Sequence, residues 1–191
     1  MKTSFILASA SPRRKEIFSM LGLDFSVHAA DITETIAPGL PPEEAVVSLA
    51  EQKAKAVREA LAFPDKTIVG ADTVVSLQGR IFGKPKTPEE AFSMLSALSG
   101  NTHQVFTGVS ILSPLGKEAS FFEKTDVTFF PLTEAEIWDY VHTEKPFDKA
   151  GAYGIQGKAA VFVEGICGDF FNVVGFPAAW FIRKLGKLEQ G

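Results

Sequence analysis

Two places in the sequence put chemically capable side chains where local structure would hold them still. The first is Ser9-Ala10-Ser11-Pro12-Arg13-Arg14. Serine suits the residue before a helix and proline the first helical position, so Ser11 and Pro12 predict a helix N-terminus. Such a terminus carries unpaired N–H groups and a partial positive charge, and arginines in its first turn oppose that field by a few tenths to about 1 kcal/mol. An anion bound there reverses the sign. With the hydroxyls of Ser9 and Ser11 the segment reads as a phosphate site; the alternative is an ordinary capped helix whose arginines reach solvent. The second place is Asp72, inside Ile68-Val69-Gly70-Ala71-Asp72-Thr73-Val74-Val75. An acid is disfavoured in a strand and costly to bury, so it calls for a metal ion, a cation or a substrate proton as partner. Such a carboxylate can hold Mg²⁺ or Mn²⁺, or take a proton from an attacking water. A structural Asp at a strand end fits less well, because Val74 and Val75 continue the apolar run. Lys53, Lys84 and Glu34 are charged residues that, taken singly, read as solvated surface.

These side chains need a scaffold, and the apolar pattern supplies one. Phe5 to Ala8 predicts a first strand; the helix from Pro12 carries Ile17, Phe18 and Leu21 at helical spacing and stops at Gly22. A short strand near Phe25 to Ala29 follows. Pro41-Pro42-Glu43-Glu44 opens a helix to about Ala62, with Val46, Val47, Leu49, Ala50, Ala54, Val57 and Leu61 as its apolar stripe. Thr67 to Leu77 reads as a buried strand ending in a Gln78-Gly79 turn. Thr87 with Glu90, and Thr133 with Glu136, have capping-box spacing and open helices that end before Gly100 and near His142. Between them lie β-rich stretches, Thr102 to Leu112 and Glu118 to Phe130. Ala159 to Glu164 and Phe170 to Val174 read as paired strands, and Pro177 starts a last helix. Single helices between strands, together with adjacent hairpin-like strands, predict an α/β fold with a mixed sheet flanked by helices. Residues 1–191 read as one folding unit, with room for two lobes.

Composition removes several function classes. The net charge is −4 with no long basic run, so the footprint of a nucleic-acid binder is missing. Cys167 is the only cysteine, which excludes an internal disulfide and a thiolate zinc cage; it reads as a small buried apolar residue. His28, His103 and His142 show no ligand spacing, and no Ser-His-Asp or Cys-His arrangement can be assembled. Gly151 to Gly157 lacks the ending of a Walker phosphate loop. The 17 Phe against two Tyr read as core packing. The apolar stretch at the N-terminus is too short for a signal sequence and no segment has the length to span a bilayer, so a soluble, cytoplasmic protein is expected.

Taken together, Leu-Ala-Ser-Ala-Ser-Pro-Arg-Arg at 7 to 14, Gly-Ala-Asp-Thr-Val-Val at 70 to 75, Gly-Lys-Pro at 83 to 85, Leu-Ser-Gly-x-Thr-His-Gln-Val at 98 to 105 and Asp-Lys-Ala-Gly-Ala-Tyr-Gly-Ile-Gln-Gly at 148 to 157 resemble the Maf proteins, in the same order along the whole chain. That resemblance implies a nucleoside triphosphate pyrophosphatase, in a family first associated with inhibition of septum formation. It implies an elongated mixed sheet with a cleft between two lobes, related to the inosine triphosphate pyrophosphatases, and suggests a homodimer. Arg13, Thr73 and Gln156 match the positions said to choose the base and resemble the dTTP/UTP branch. The 7-methyl-GTP branch carries Trp in place of Arg13 and an acid in place of Gln156. An amide at 156 offers one acceptor and a donor pair, matching the N–H and C=O edge of uracil or thymine.

By the same resemblance Asp72 accepts the proton of a water that cuts between the α- and β-phosphates, close to Mg²⁺ or Mn²⁺, with Glu34 assisting at the metal. Ser9, Arg13, Arg14, Lys53 and Lys84 would neutralise the triphosphate, and Tyr153 to Gln156 would line the base pocket. Two other readings stay open at this point. One is a nucleotide-binding regulator of cell division without turnover; the other is an enzyme that clears damaged purine triphosphates, against which the trio at 13, 73 and 156 argues.

Overall fold

The computed structural model describes residues 3–29, 32–37, 39–62 and 64–190. In chain order the elements are β1 (Ser4–Ala8), α1 (Pro12–Met20), β2 (Asp24–Val27), α2 (Pro42–Ala60), β3 (Thr67–Leu77), β4 (Arg80–Phe82), α3 (Pro88–Leu98), β5 (Thr102–Leu112), β6 (Glu118–Phe129), α4 (Glu134–Glu144), β7 (Val163–Cys167), α5 (Phe170–Val174) and α6 (Ala178–Gln190). Short 3₁₀ turns occupy Ala150–Ala152 and Lys158–Phe162. The strands form a seven-stranded sheet in the order β2-β1-β3-β5-β6-β7, with β4 pairing β3. β1 runs parallel to β2 and to β3, placing Leu7 opposite both Val27 and Val69. β3 with β4, and β6 with β7, are antiparallel, so the sheet is mixed as the pattern of elements predicts.

The chain divides into two compact units, Met1–Asp72 with Thr107–Glu123 and Gly175–Gly191, and Thr73–Phe106 with Lys124–Val174. The first is built on phenylalanine. Phe18 sits 5.3 Å from Phe25, 5.0 Å from Phe176 and 5.7 Å from Phe181 between ring centroids, and Phe5 meets Phe181 at 6.0 Å. Tilted and edge-on contacts of this kind need no polar partner, which accounts for the excess of Phe over Tyr. A second cluster joins Ile6, Ala8, Ala54, Val57, Ile68 and Leu112. Helix α2 buries Ala45, Val46, Leu49, Ala50, Ala54 and Val57, while Leu61 at its end is exposed. Its approach to the sheet is set by two glycines. A Cβ on Gly70 would run into the Ala50 carbonyl and lie 3.0 Å from the Ala54 Cβ. One on Gly108 would run into the Val46 backbone and lie 2.6 Å from the Val47 nitrogen.

In the second unit α3 and α4 pack together on the 3₁₀ turns, and their N-termini are capped differently. Thr133 and Glu136 form the full reciprocal box, with the Glu136 carboxylate accepting from Thr133 N–H at 2.7 Å. Those bonds, the backbone one first, hold the Glu136 carboxyl below its usual range. Thr87 caps Glu90 N–H at 3.2 Å, but the Glu90 carboxylate accepts from Lys86 N–H rather than from Thr87, so that box is only half formed.

Four sequence expectations need correcting. Ser11 precedes α1, yet its side chain makes no cap; its own N–H donates to Ser9 Oγ at 3.3 Å. Ala159 to Glu164 begins as a 3₁₀ turn, and the strand starts four residues later and ends three residues later, at Val163–Cys167. Phe170 to Val174 is the short helix α5, because the Asp169 carboxylate accepts from Phe171 N–H at 2.8 Å and turns the chain into a helical entry. Cys167 is exposed rather than buried, since β7 stands last in the strand order and Glu164 to Cys167 all face out.

Candidate active site

Within the first unit the end of β1, the first turn of α1, α2 and the middle of β3 converge through hydrogen bonds. Arg14 is buried, and its guanidinium donates from Nε to the Gly175 carbonyl at 2.9 Å. From one terminal nitrogen it donates to Ser9 Oγ and to the Ala71 carbonyl, each at 3.0 Å. The arginine expected to meet an anion at the helix terminus instead ties the residue before Asp72 to the β1–α1 turn and to Gly175. Burial pulls its pKa down, opposed by the charges of Asp72 and Glu34 and reinforced by Arg13. Ser9 is also buried, accepting from Arg14 and from Ser11 N–H. Arg13, half-buried beside it, keeps the first-turn position that its neighbour uses for structure.

Asp72 lies in the middle of β3, as the apolar run around it requires, and its Oδ1 is 2.5 Å from Lys53 Nζ on α2. The same ammonium is 2.9 Å from Glu34 Oε1. Lys53 and Asp72 side chains are only 13% and 15% exposed, whereas Glu34 is 48% exposed. Two carboxylates therefore converge on one cation at the edge of a protected site, where attraction is stronger than between surface charges. Lys53 and Glu34, unremarkable one by one, are joined to Asp72 by the fold. The segment carrying Glu34 is held by Gln52, which sequence reasoning missed. Gln52 Nε2 donates to the Thr35 carbonyl at 2.8 Å and Gln52 Oε1 accepts from Thr35 N–H at 3.2 Å. A lone Gln on a helix carries no signal of such docking.

No group of three or more His, Cys, Asp or Glu suited to a metal occurs among the described residues. The Asp72 and Glu34 pair nevertheless fits Mg²⁺ or Mn²⁺. Mg²⁺ is commonly held by one or two carboxylates, with phosphate oxygens and water completing its shell. Two carboxylates gathered on one ammonium supply that donor set.

In the second unit Thr73 follows Asp72 along β3, half-buried, and Lys84 and Gln156 are exposed. Gly83, next to Lys84, accepts from Gly151 N–H at 3.0 Å, joining the Gly-Lys-Pro segment to the start of the 151–157 stretch. Tyr153 differs from the expectation of a pocket-lining side chain. It is 6% exposed, its hydroxyl is 2.7 Å from His103 Nε2, and its ring packs edge-on to Phe129 at 4.8 Å. Burial raises its pKa.

His103, fully buried, was not singled out by spacing, and its burial lowers its pKa to about 4. The unfolded chain takes up this proton first, near the ordinary histidine value of 6.5, so stability is full above that pH and falls as pH drops towards 4. The shift corresponds to about 3 kcal/mol. Urea midpoints measured across this range are expected to fall in wild type and to fall less in His103→Phe; equal slopes would refute the assignment.

Comparison with known proteins shows the family to which the chain belongs. The family model "Maf-like protein" matches residues 4–188, through both units. A dTTP/UTP pyrophosphatase of Geobacillus sp. (strain WCH70) is 54% identical over 183 residues, 96% of this chain and 97% of that one. A dTTP/UTP pyrophosphatase of Bacillus cytotoxicus is 48% identical over 187 residues, 98% and 96% of the two chains. Among solved structures, a HAM1 protein from Coxiella burnetii superposes with a TM-score of 0.54 at 16% identity, covering 97% of this chain and 99% of that one, which speaks to the fold alone. The family match and the near-full-length identities together establish that this chain belongs to the Maf-like protein family.

Proposed function

We propose that this chain hydrolyses dTTP and UTP to the nucleoside monophosphate and diphosphate. The observation that carries the reading is the protected Lys53–Asp72 pair, joined by Glu34, on a strand whose preceding residue is clamped by Arg14. In the reaction a water oxygen bonds to phosphorus, the α–β bridging bond breaks, and Asp72 takes the water proton. Arg13, Lys53 and Lys84 neutralise the triphosphate, whose negative charge moves onto the leaving diphosphate. Arg14 and Ser9 contribute by holding Ala71 and the turn before α1 in place. Asp72 and Glu34 would hold Mg²⁺ or Mn²⁺, which when bound supplies charge neutralisation at the phosphates. Thr73 and Gln156, with Arg13, select the pyrimidine, Gln156 by pairing its amide with the N–H and C=O edge of the base. Because its substrates are free nucleotides, we assign the activity to the cytoplasm; any effect on septum formation would follow from the nucleotide pool.

The test is diphosphate release from a panel of nucleoside triphosphates with Mg²⁺ or Mn²⁺, with and without a chelator. Turnover led by dTTP and UTP supports the reading. Nucleotide binding without turnover would sink it in favour of a regulator, and a preference for oxidised or deaminated purines would sink the base assignment. Gln156→Glu removes the donor while keeping the shape. It is expected to lower kcat/KM for UTP and dTTP by about a hundredfold, mainly through KM. An unchanged preference would show that the base is read elsewhere.

A further inference from the structure

We infer that His103 is a positioning residue for base discrimination, acting through the Tyr153 hydroxyl to fix the segment that presents Gln156. The inference rests on the assignment of Gln156 to the base.

From Tyr153 the chain runs with alternating burial. Tyr153 and Ile155 are buried at 6% and 7% exposure, whereas Gly154 is half-buried and Gln156 exposed. Tyr153 has extended backbone angles, φ −145° and ψ 160°. The chain then bends over residues 155–157, so anchoring Tyr153 and Ile155 inward sets where that bend carries the exposed Gln156. The anchor at 155 is apolar and non-directional. The one at 153 is directional, because the hydroxyl lies 2.7 Å from His103 Nε2 and both rings stand edge-on to Phe129, at 4.8 and 4.9 Å.

Stability does not account for this pair. His103 Nδ1 is buried with no hydrogen-bond partner among the described residues, and burial holds the imidazole neutral. A phenylalanine pair would fill the same space beside Phe129 without a stranded nitrogen. What the polar pair adds is a single angular setting of the Tyr153 ring. The approach to Tyr153 is constrained in the same sense. Gly151 has φ +67°, and a Cβ there would lie 2.9 Å from a Val75 methyl. Ala152 has φ +62°, a left-handed conformation rarely adopted by a residue with a side chain. Backbone held in such a conformation is over-determined by its surroundings, here directly before the anchored tyrosine.

The experiment is steady-state kinetics with UTP and CTP on wild type, His103→Phe, His103→Gln, Tyr153→Phe and the double variant H103F/Y153F, with melting temperatures alongside. CTP differs from UTP at the edge that Gln156 reads, presenting an amino group where UTP has a carbonyl. His103→Phe is expected to raise KM for UTP about tenfold, with a smaller change in kcat, and to lower the UTP-over-CTP ratio of kcat/KM by a similar factor. His103→Gln, whose amide can meet the Tyr153 hydroxyl, should restore most of the ratio. The double variant should be no worse than His103→Phe, because both substitutions break one bond.

The inference is overturned if His103→Phe and Tyr153→Phe leave the ratio unchanged, or if kcat drops only in step with the melting temperature. Gln156→Glu on the same panel separates the two assignments. If it leaves base preference untouched, the reading of Gln156 fails and this inference with it. If it changes preference while the His103 variants do not, only the positioning role is lost.

Discussion

Asp72→Asn is expected to lower kcat for UTP and dTTP by about 10³-fold while leaving KM no higher than in wild type. Asn keeps the size of the side chain and can still accept a hydrogen bond from Lys53 Nζ, now 2.5 Å from Asp72 Oδ1, but it cannot take a proton from water. The charge balance predicts the KM. Arg14 and Lys53 lie beside two carboxylates, Asp72 and Glu34, with Arg13 next to Arg14, so removing one carboxylate leaves a site more positive towards a triphosphate. Single-turnover diphosphate release with saturating nucleotide measures the chemical step directly. A variant that turns over normally but binds poorly would show that Asp72 serves binding rather than proton transfer. Glu34→Gln removes the more exposed carboxylate and is expected to act through the metal requirement, raising the Mg²⁺ concentration needed for half-maximal rate.

The second large effect lies away from the reacting groups. Gly70→Ala and Gly108→Ala should each destabilise the protein by about 3 kcal/mol, because the added methyl meets helix backbone that cannot rotate away. For a chain of this size that lowers the melting temperature by about 10 °C. The two variants should part in activity. Gly70 is two residues before Asp72 on β3, and its obstacle, the carbonyl of Ala50, is three residues before Lys53 on α2. Pushing α2 from β3 there lengthens the Lys53–Asp72 contact, so kcat of Gly70→Ala should fall even at temperatures where the protein is folded. Gly108 opposes Val46, a full turn further from Lys53, and Gly108→Ala should lose stability with a smaller loss of kcat. Equal stability in both variants and wild type would refute the close approach of helix to sheet.

Much of this protein was decided locally and could be read without tertiary structure. The strand over Thr67 to Leu77, the helix start at Pro12, its stop at Gly22 with φ +65° and the box of Thr133 with Glu136 depend on residues within a few positions of one another. So did the standing of Asp72, because an acid in the centre of an apolar run is anomalous whatever surrounds it. Elements failed to be legible where local preference was balanced. Phe170 to Val174 is as good a strand as a helix by composition, and the Asp169 carboxylate on Phe171 N–H settled it.

The rest depended on which distant residues meet. That Arg14 would hold the carbonyls of Ala71 and Gly175, 57 and 161 residues away, could not be inferred from the charge at a helix terminus, which suggests an anion equally well. Lys53 and Glu34 read singly as surface residues and were candidates only through the family resemblance, until the fold carried both to Asp72; Gln52 emerged only by fastening Thr35. Tyr153 and His103, 50 positions apart, form a buried pair that neither residue announces. Sequence periodicity reports how a segment divides its faces between core and solvent. The partner of a buried polar group is chosen by three-dimensional packing, and only the folded chain shows it.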